Sequence, residues 1–509
     1  MSAGCPSTGR EGSSDRTGWA LIGVLVVAAV VRILPIIAGP FPPGSDHGLH
    51  LWYAEQYVAR GFPPGPLPYY QLGLTTWPHL PGGPMYFGFL SMLSGLPVFA
   101  TIGAAAALGA IEAAGVFALA LRMSARIEVA LFAAAVSALL PGPLEMTGWG
   151  AYPNLVGLAF LPGAFAGLLS FWNDATPRRA IVCALVLSAV TATHHLSALW
   201  LGLSFALFVL LELVIDARGA GRRLLLLAPP LLVCSLPMIP MGVDVWRHSL
   251  GAVTLGLTST FAPSRASVQE TLADPAAVLV VVILFAGLAA FFLLDRASLS
   301  GKRLVGSYLF VSVVLAFGWV LGIPFHYWRS LFFFNLPAAI GGGWLLTLWR
   351  PGWLRSAVAA AVILAFAFAG QRISREIPGR YQVLTPGVEE AAQWMRGRSD
   401  QNDVVLSSSF LGFQLIRLLQ RPLMVSVQPQ DLFSSDPEAN AISADATLIL
   451  EGRDAGNRRL DARHVRYVVI RQRGSDFPEP PVSRTAVERN ARFHLVFENA
   501  DALVYEVRP

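Results

Sequence analysis

The strongest constraint on this chain is a repeated pattern of long apolar runs. A helix rises 1.5 Å per residue, so about 20 apolar residues are what crosses roughly 30 Å of hydrocarbon. Such runs fall at about 18–38, 99–121, 127–141, 155–172, 180–195, 198–215, 224–241, 276–294, 304–323, 331–349 and 356–373. They predict an all-α polytopic membrane bundle of about eleven transmembrane helices. Only 14% of the 509 residues are charged and mean hydropathy is +0.55, against about a quarter charged in soluble domains. A cytosolic globular enzyme, a disordered regulator and a nucleic-acid binder are excluded. The net charge of +5 reflects basic residues in short loops, so no nucleic-acid partner is expected. Cys5, Cys183 and Cys234 form neither a disulfide framework nor a CxxC metal pattern.

The basic residues also set an orientation. Alternate connections carry Arg122 and Arg126, then Arg178 and Arg179, Arg218 with Arg222 and Arg223, Arg296 with Lys302 and Arg303, and Arg350 with Arg355. By the positive-inside rule these loops are cytoplasmic. A bacterial cytoplasmic membrane is expected, with residues 1–17 as a disordered inner tail and the bundle spanning 18–373. Residues 374–509, where short β-rich runs alternate with helical ones, form an extracytoplasmic α/β domain. The same parity puts Asp46, His47, His50, Glu55, His79, Glu145, His194, His195, Asp244, His248, His326 and Arg329 on the outer side. A solvated surface would scatter such groups over both sides, so any chemistry belongs to the outer leaflet.

The outer loop 39–98 is rich in Pro and aromatic residues, which make rigid extended corners. Within it HGLHLWYAEQYVARG places Leu49, Trp52, Tyr53 and Tyr57 at helical spacing. This predicts an amphipathic helix lying in the interface with its aromatic face toward lipid. PMYFGFLSMLSGL (84–96) is too short to span and is placed there too.

Asp46 opens that helix. It is either an N-cap or, with His47 and His50 one turn apart, a general base or a metal ligand. Glu145, in LLPGPLEMTGWGAYPNLVG, either satisfies a tight turn or is a second carboxylate facing Asp46, holding a divalent metal such as Mg or Mn or orienting an acceptor hydroxyl. Asp46, His50 and Glu145 are the candidate metal ligands. Trp149 and Tyr152 are interfacial anchors or an aromatic wall against which a sugar stacks. His195 and its neighbour His194 are costly in an apolar run unless they pair or line a cavity. His326 and Tyr327 stand beside Arg329 in PFHYWRSLFFFNLP. Arg329 and Arg32 are either snorkelling cations or a clamp on a lipid-linked phosphate. Glu112, deep in a span, is a proton relay of a transporter or a polar link between helices.

With GSDHGLH (44–50), LEMTGWGAYPN (144–154), HYWRSLFF (326–333) and the C-terminal pattern GVEEAAQWMR…DVVLSSS…RYVVI…VYEV, the whole chain resembles the GT-C superfamily of polytopic glycosyltransferases. That superfamily includes oligosaccharyltransferases, protein mannosyltransferases, aminoarabinose transferases and mycobacterial arabinofuranosyltransferases. The resemblance implies transfer of a sugar from a polyprenyl-phosphate donor to a glycan, lipid or protein acceptor at the outer membrane face, in cell-envelope assembly. Asp46 would match the catalytic acid of the first outer loop, Glu145 the second acid and Arg329 the donor-phosphate contact. Two departures stand out. No WWDxG motif occurs in the C-terminal region, and the first loop reads DH where the mannosyltransferases have DE. The alternatives from other classes are a flippase for a lipid-linked precursor and a non-catalytic assembly scaffold.

Overall fold

A computed structural model of the chain describes residues 11–61, 68–73, 80–240, 242–243, 273, 275–294, 298–321, 327–349, 352–426, 437–472 and 482–508. Among them nine helices are long and apolar enough to cross a membrane, from Arg16–Ile37 to the helical stretch Gly352–Arg396. The other two predicted spans are shorter helices, Pro177–Thr193 and Pro275–Ala289, the second running on as a π-helical turn over Ala290–Leu294. The expected architecture therefore holds, a polytopic helical bundle followed by a small C-terminal sheet. The shift from apolar to polar composition near residue 374 falls inside a helix, because Gly352–Tyr381 is continuous.

Ionisable groups inside such a bundle need partners. Arg32, in the helix Glu11–Ile37, donates from Nη2 to Oε2 of Glu112 at 2.5 Å, and both side chains are buried. Ser137 donates to the other Glu112 oxygen at 3.4 Å. Two of the first spans and Ile127–Leu139 are thus tied by one polar link. This corrects one expectation, for Arg32, and decides between the two readings of Glu112 in favour of the polar link between helices. Arg32 is turned into the bundle rather than toward a lipid phosphate, and the carboxylate of Glu112 is committed to a cation rather than left as a relay.

The C-terminal sheet has the strand order β2-β1-β3-β5-β4, with β1 Val404–Ser408, β2 Leu423–Ser426, β3 Val465–Arg471, β4 Phe493–Glu498 and β5 Ala502–Val507. β2, β1 and β3 are parallel, and the hairpin β4–β5 closes the sheet antiparallel to β3. Strand side chains alternate between faces. Leu406, Met424, Val468 and Ile470 pack on one side with Ile442 and Ile449 of the helix Pro437–Leu450. Val405, Val425 and Val469 pack on the other with the helices Pro386–Arg396 and Ser409–Leu419.

That second face is shared with the first loop. The predicted helix forms over His47–Arg60, but Leu49, Trp52 and Tyr53 are buried in a cluster with Leu411, Leu415 and Val388 of the C-terminal region. Periodicity identifies an apolar face without identifying what covers it, and here protein covers most of it. Further along the loop, Leu423 donates to the Tyr69 carbonyl at 2.7 Å, and Gln71 both donates to and accepts from Val425, at 2.8 and 3.1 Å. The free edge of β2 is thereby capped by the loop, as exposed strand edges require. The neighbouring helix Gly82–Ser94 leaves Met85, Phe89, Met92 and Leu93 exposed along one side, as expected of a lipid-facing element.

Removing one member of a buried ion pair strands its partner, whereas replacing both by apolar residues is close to neutral. Arg32→Met alone should therefore cost about 3–5 kcal/mol. Adding Glu112→Leu should restore most of the loss, read as the thermal denaturation midpoint of detergent-solubilised protein.

Candidate functional site

The site grows from two short turns that lock together. PGPLEMTGWG carries Pro at the first helical position and Gly just past the end, the pattern of a short self-terminating helix. Pro141–Trp149 is that helix, and Gly150 ends it at φ +84°. Opposite it, GSDH turns sharply at Gly44, φ +128°. A Cβ on Gly44 would lie 2.8 Å from Gly150 Cα, and one on Gly150 would lie 2.9 Å from the His47 nitrogen. Both positions need the left-handed region and the close approach, which glycine alone supplies without strain.

Backbone hydrogen bonds complete the knot. The Ser45 N–H donates to the Trp149 carbonyl at 3.0 Å, and the Gly44 N–H donates to the Tyr381 carbonyl at 3.0 Å. The Ser45 hydroxyl lies 3.0 Å from Asp46 Oδ1 and donates to it. Of residues 42–54, Asp46 is the only one that is neither buried nor at the exposed end of the helix; every other one of them is buried. Its carboxylate makes no capping bond to the helix it precedes, so the N-cap role is not what this side chain performs. A partly exposed carboxylate held by a buried turn is a suitable general base.

His47 is 1% exposed and its Nδ1 lies 2.9 Å from the Gly44 carbonyl. A carbonyl only accepts, so Nδ1 carries the proton and Nε2 of the neutral ring holds a lone pair. Burial pushes the imidazole down to about 4; the bond to Gly44 opposes this and the nearby Arg417 guanidinium adds to it. The ring is neutral at pH 7 and buttresses the turn.

Glu145 projects from the short helix, partly exposed, and accepts from the Tyr381 hydroxyl at 2.8 Å, with Arg380 Nη1 4.0 Å away. Arg329, from the turn Tyr327–Leu331, stacks its guanidinium 5.3 Å above the Trp149 ring. Among the described residues it has no carboxylate partner, and the aromatic face holds its charge in place. Trp149, which also packs near Phe332 at 6.4 Å, thus joins three of the sequence-predicted residues. Its carbonyl holds the Asp46 turn, its ring holds Arg329, and Glu145 lies one helical turn before it.

No family profile matches the sequence, and no curated protein does. Solved structures do match by shape. ArnT from Cupriavidus metallidurans bound to undecaprenyl phosphate has a TM-score of 0.61 at 15% identity, over 98% of this chain and 98% of that one. The Archaeoglobus fulgidus oligosaccharyltransferase, in complex with zinc and sulfate, also scores 0.61 at 15% identity, over 88% and 67%. The mycobacterial arabinofuranosyltransferase AftD scores 0.58 at 17% identity, over 96% of this chain and 41% of that one. The chain has the GT-C fold.

On the GT-C scaffold the remaining predicted residues fall as follows. His50 is buried on the first-loop helix, with its ring 6.4 Å from that of Tyr53. Tyr152 is fully buried against Phe87 at 5.4 Å, a core position rather than a sugar platform. His194 and His195 occupy the break between Pro177–Thr193 and His195–Ile215, with ring centroids 4.2 Å apart, and Nδ1 of His194 accepts from Leu196 N–H. Ser197, one turn on, bonds Asn154 at 3.2 Å, which ties this break to the Trp149 end of the bundle. His326, the side chain of Tyr327, His79, Asp244 and His248 lie outside the described residues.

A metal among Asp46, His50 and Glu145 does not fit. No group of three His, Cys, Asp or Glu side chains among the described residues is close enough to hold an ion, and Glu145 is engaged by Tyr381 instead. Sequence reasoning also passed over Tyr381, Arg380 and Gln414, whose Nε2 donates to the carbonyls of Ser45 and Gly44. A glutamine alone in the apolar run SFLGFQLIRLL was the available signal.

The depressed His47 value implies a sign for stability. Between about 4 and 6.5 the unfolded chain binds the proton that the folded ring refuses, so this contribution is present above 6.5 and lost as pH falls toward 4. The loss amounts to about 3 kcal/mol in full. Denaturation midpoints at pH 4.5 and 7.5 should differ less for His47→Gln than for the parent.

Proposed function

We propose that this chain is an integral-membrane glycosyltransferase that moves a sugar from a polyprenyl-phosphate donor to a hydroxyl acceptor. What carries this reading is the pairing of Asp46, an accessible carboxylate on a buried turn, with Arg329, a guanidinium lacking any carboxylate partner among the described residues. Both are joined through Trp149. The fold likeness to a protein solved with undecaprenyl phosphate supports the donor class.

The chemistry is an inverting single displacement. Asp46 takes the proton from the acceptor hydroxyl as that oxygen attacks the anomeric carbon. The bond from that carbon to the phosphate oxygen breaks, and the lipid phosphate leaves with the electron pair. Arg329 faces the charge that develops on the phosphate, and a preorganised cation in a dry site is effective there. Guanidinium geometry suits a phosphate, and the Trp149 ring holds it at the ready. Glu145, oriented by Tyr381, is assigned to the acceptor side.

The site is assigned to the outer face of a bacterial cytoplasmic membrane, with the N-terminus inside. Support comes from the basic connections at the opposite ends of the helices. The C-terminal region is assigned to acceptor or partner binding, and envelope-glycan assembly is the pathway class. A transporter would draw on Glu112 as an intramembrane relay, and its carboxylate is paired with Arg32.

The test is sugar transfer in membranes supplied with a panel of undecaprenyl-phosphate-linked pentose, hexose and aminopentose. One donor should be consumed by the parent, and Asp46→Asn at equal protein level should lower the rate at least 100-fold, as expected of a lost general base. Arg329→Ala should lower it by a similar order. Wild-type transfer by Asp46→Asn, or no transfer from any donor, overturns the reading.

A further inference from the structure

We infer that Gln414, some 370 residues away in sequence, is a positioning residue for Asp46; the inference rests on the transferase reading above. Gln414 is 2% exposed and lies in the helix Ser409–Leu419 of the C-terminal region. Its side-chain Nε2 donates to the Ser45 carbonyl at 2.9 Å and to the Gly44 carbonyl at 3.3 Å. The Ser45 carbonyl belongs to the peptide unit that ends in the Asp46 nitrogen. Rotation of that plane swings the Asp46 Cα–Cβ bond, and with it the carboxylate. Gly44 retains the His47 Nδ1 bond if Gln414 is removed, whereas a buried carbonyl without a donor rotates to find one. One amide therefore sets the plane from the carbonyl side while Trp149 holds Ser45 from the N–H side.

The contact is built for close approach. A Cβ on Gly48 would meet the Phe413 carbonyl oxygen at 2.6 Å and Gln414 Cα at 2.9 Å, so the two helices touch at backbone distance. One turn further, Arg417 Nε donates to Glu55 Oε1 at 2.7 Å, and its guanidinium lies 4.5 Å over the Phe99 ring. These contacts fix the register of the two helices and so the reach of the Gln414 amide. The C-terminal region is thereby part of the geometry at Asp46, in addition to any acceptor it binds.

Gln414→Met keeps the volume and removes both donors. With the undecaprenyl-phosphate sugar that the parent consumes, kcat should fall about tenfold or more while the donor KM stays within twofold, because Arg329 is untouched. Activity is normalised to folded protein by size-exclusion and thermal denaturation in detergent. If the Met variant does not fold, Gln414→Asn, which withdraws the amide by one methylene, should give the same split. Parental kcat per folded molecule in the variant that folds, or a rise in KM with kcat unchanged, overturns the inference. Asp46→Asn is measured alongside. A dead Asp46→Asn with an active Gln414→Met sinks this inference alone, whereas an active Asp46→Asn, or a parent that consumes no donor of the panel, sinks the transferase reading and this inference with it.

Discussion

Everything proposed for this chain depends on the backbone lock between the Gly44–His47 turn and the Trp149–Gly150 turn. Two glycines at positive φ bring the main chains within van der Waals contact. Three carbonyls, those of Trp149, Tyr381 and Gly44, then take up the polar hydrogens of the turn and of His47. Buried polar groups are satisfied almost without exception, and here Ser45 of one turn donates to the Trp149 carbonyl of the other, about 100 residues along the chain. The carboxylate of Asp46 is carried on this lock and retains access to solvent. Rigidity of the turn with exposure of one side chain is the arrangement that general-base chemistry asks of a scaffold.

The lock also explains why the C-terminal region and the first loop share a core. Trp52 and Tyr53 of the loop helix sit among Leu411, Leu415 and Val388, while Tyr69 and Gln71 close the edge of β2. The first loop is thus held from three sides: by the bundle through Trp149, by the helix ending at Tyr381, and by the sheet domain through Gln414. Deep in the bundle, Arg32, Glu112 and Ser137 tie the first span to its neighbours. An intramembrane ion pair of this kind fixes helix register at a point where lipid offers no alternative partner.

Much of this was legible from residue order, in proportion to how local each signal is. The long apolar runs identified the helices because span length is set by bilayer thickness, and short runs such as VRYVVIR identified strands because β-branched and aromatic residues favour a strand buried on both faces. Asp46, Glu145 and Arg329 were legible as candidates from their positions at span ends. What covers the apolar face of the first-loop helix was not, since a moment has direction but no partner. Arg32 and Glu112 were each read alone, and only three-dimensional packing pairs residues 80 positions apart. Gln414 stood unremarked because a single amide in an apolar helix is a weak local signal, and the carbonyls it holds are more than 360 residues away.

The central claim is that Asp46, Trp149 and Arg329 surround the phosphate of a polyprenyl lipid at one end of the bundle. Photo-crosslinking with undecaprenyl phosphate bearing a diazirine on its first isoprene unit, followed by peptide mapping, reads this directly. The account predicts labels within residues 44–50, 144–152 and 327–333, competed by unlabelled undecaprenyl phosphate. Labels confined to the ends of the helices that carry Arg122, Arg179 and Arg303, with none near Trp149, would contradict it.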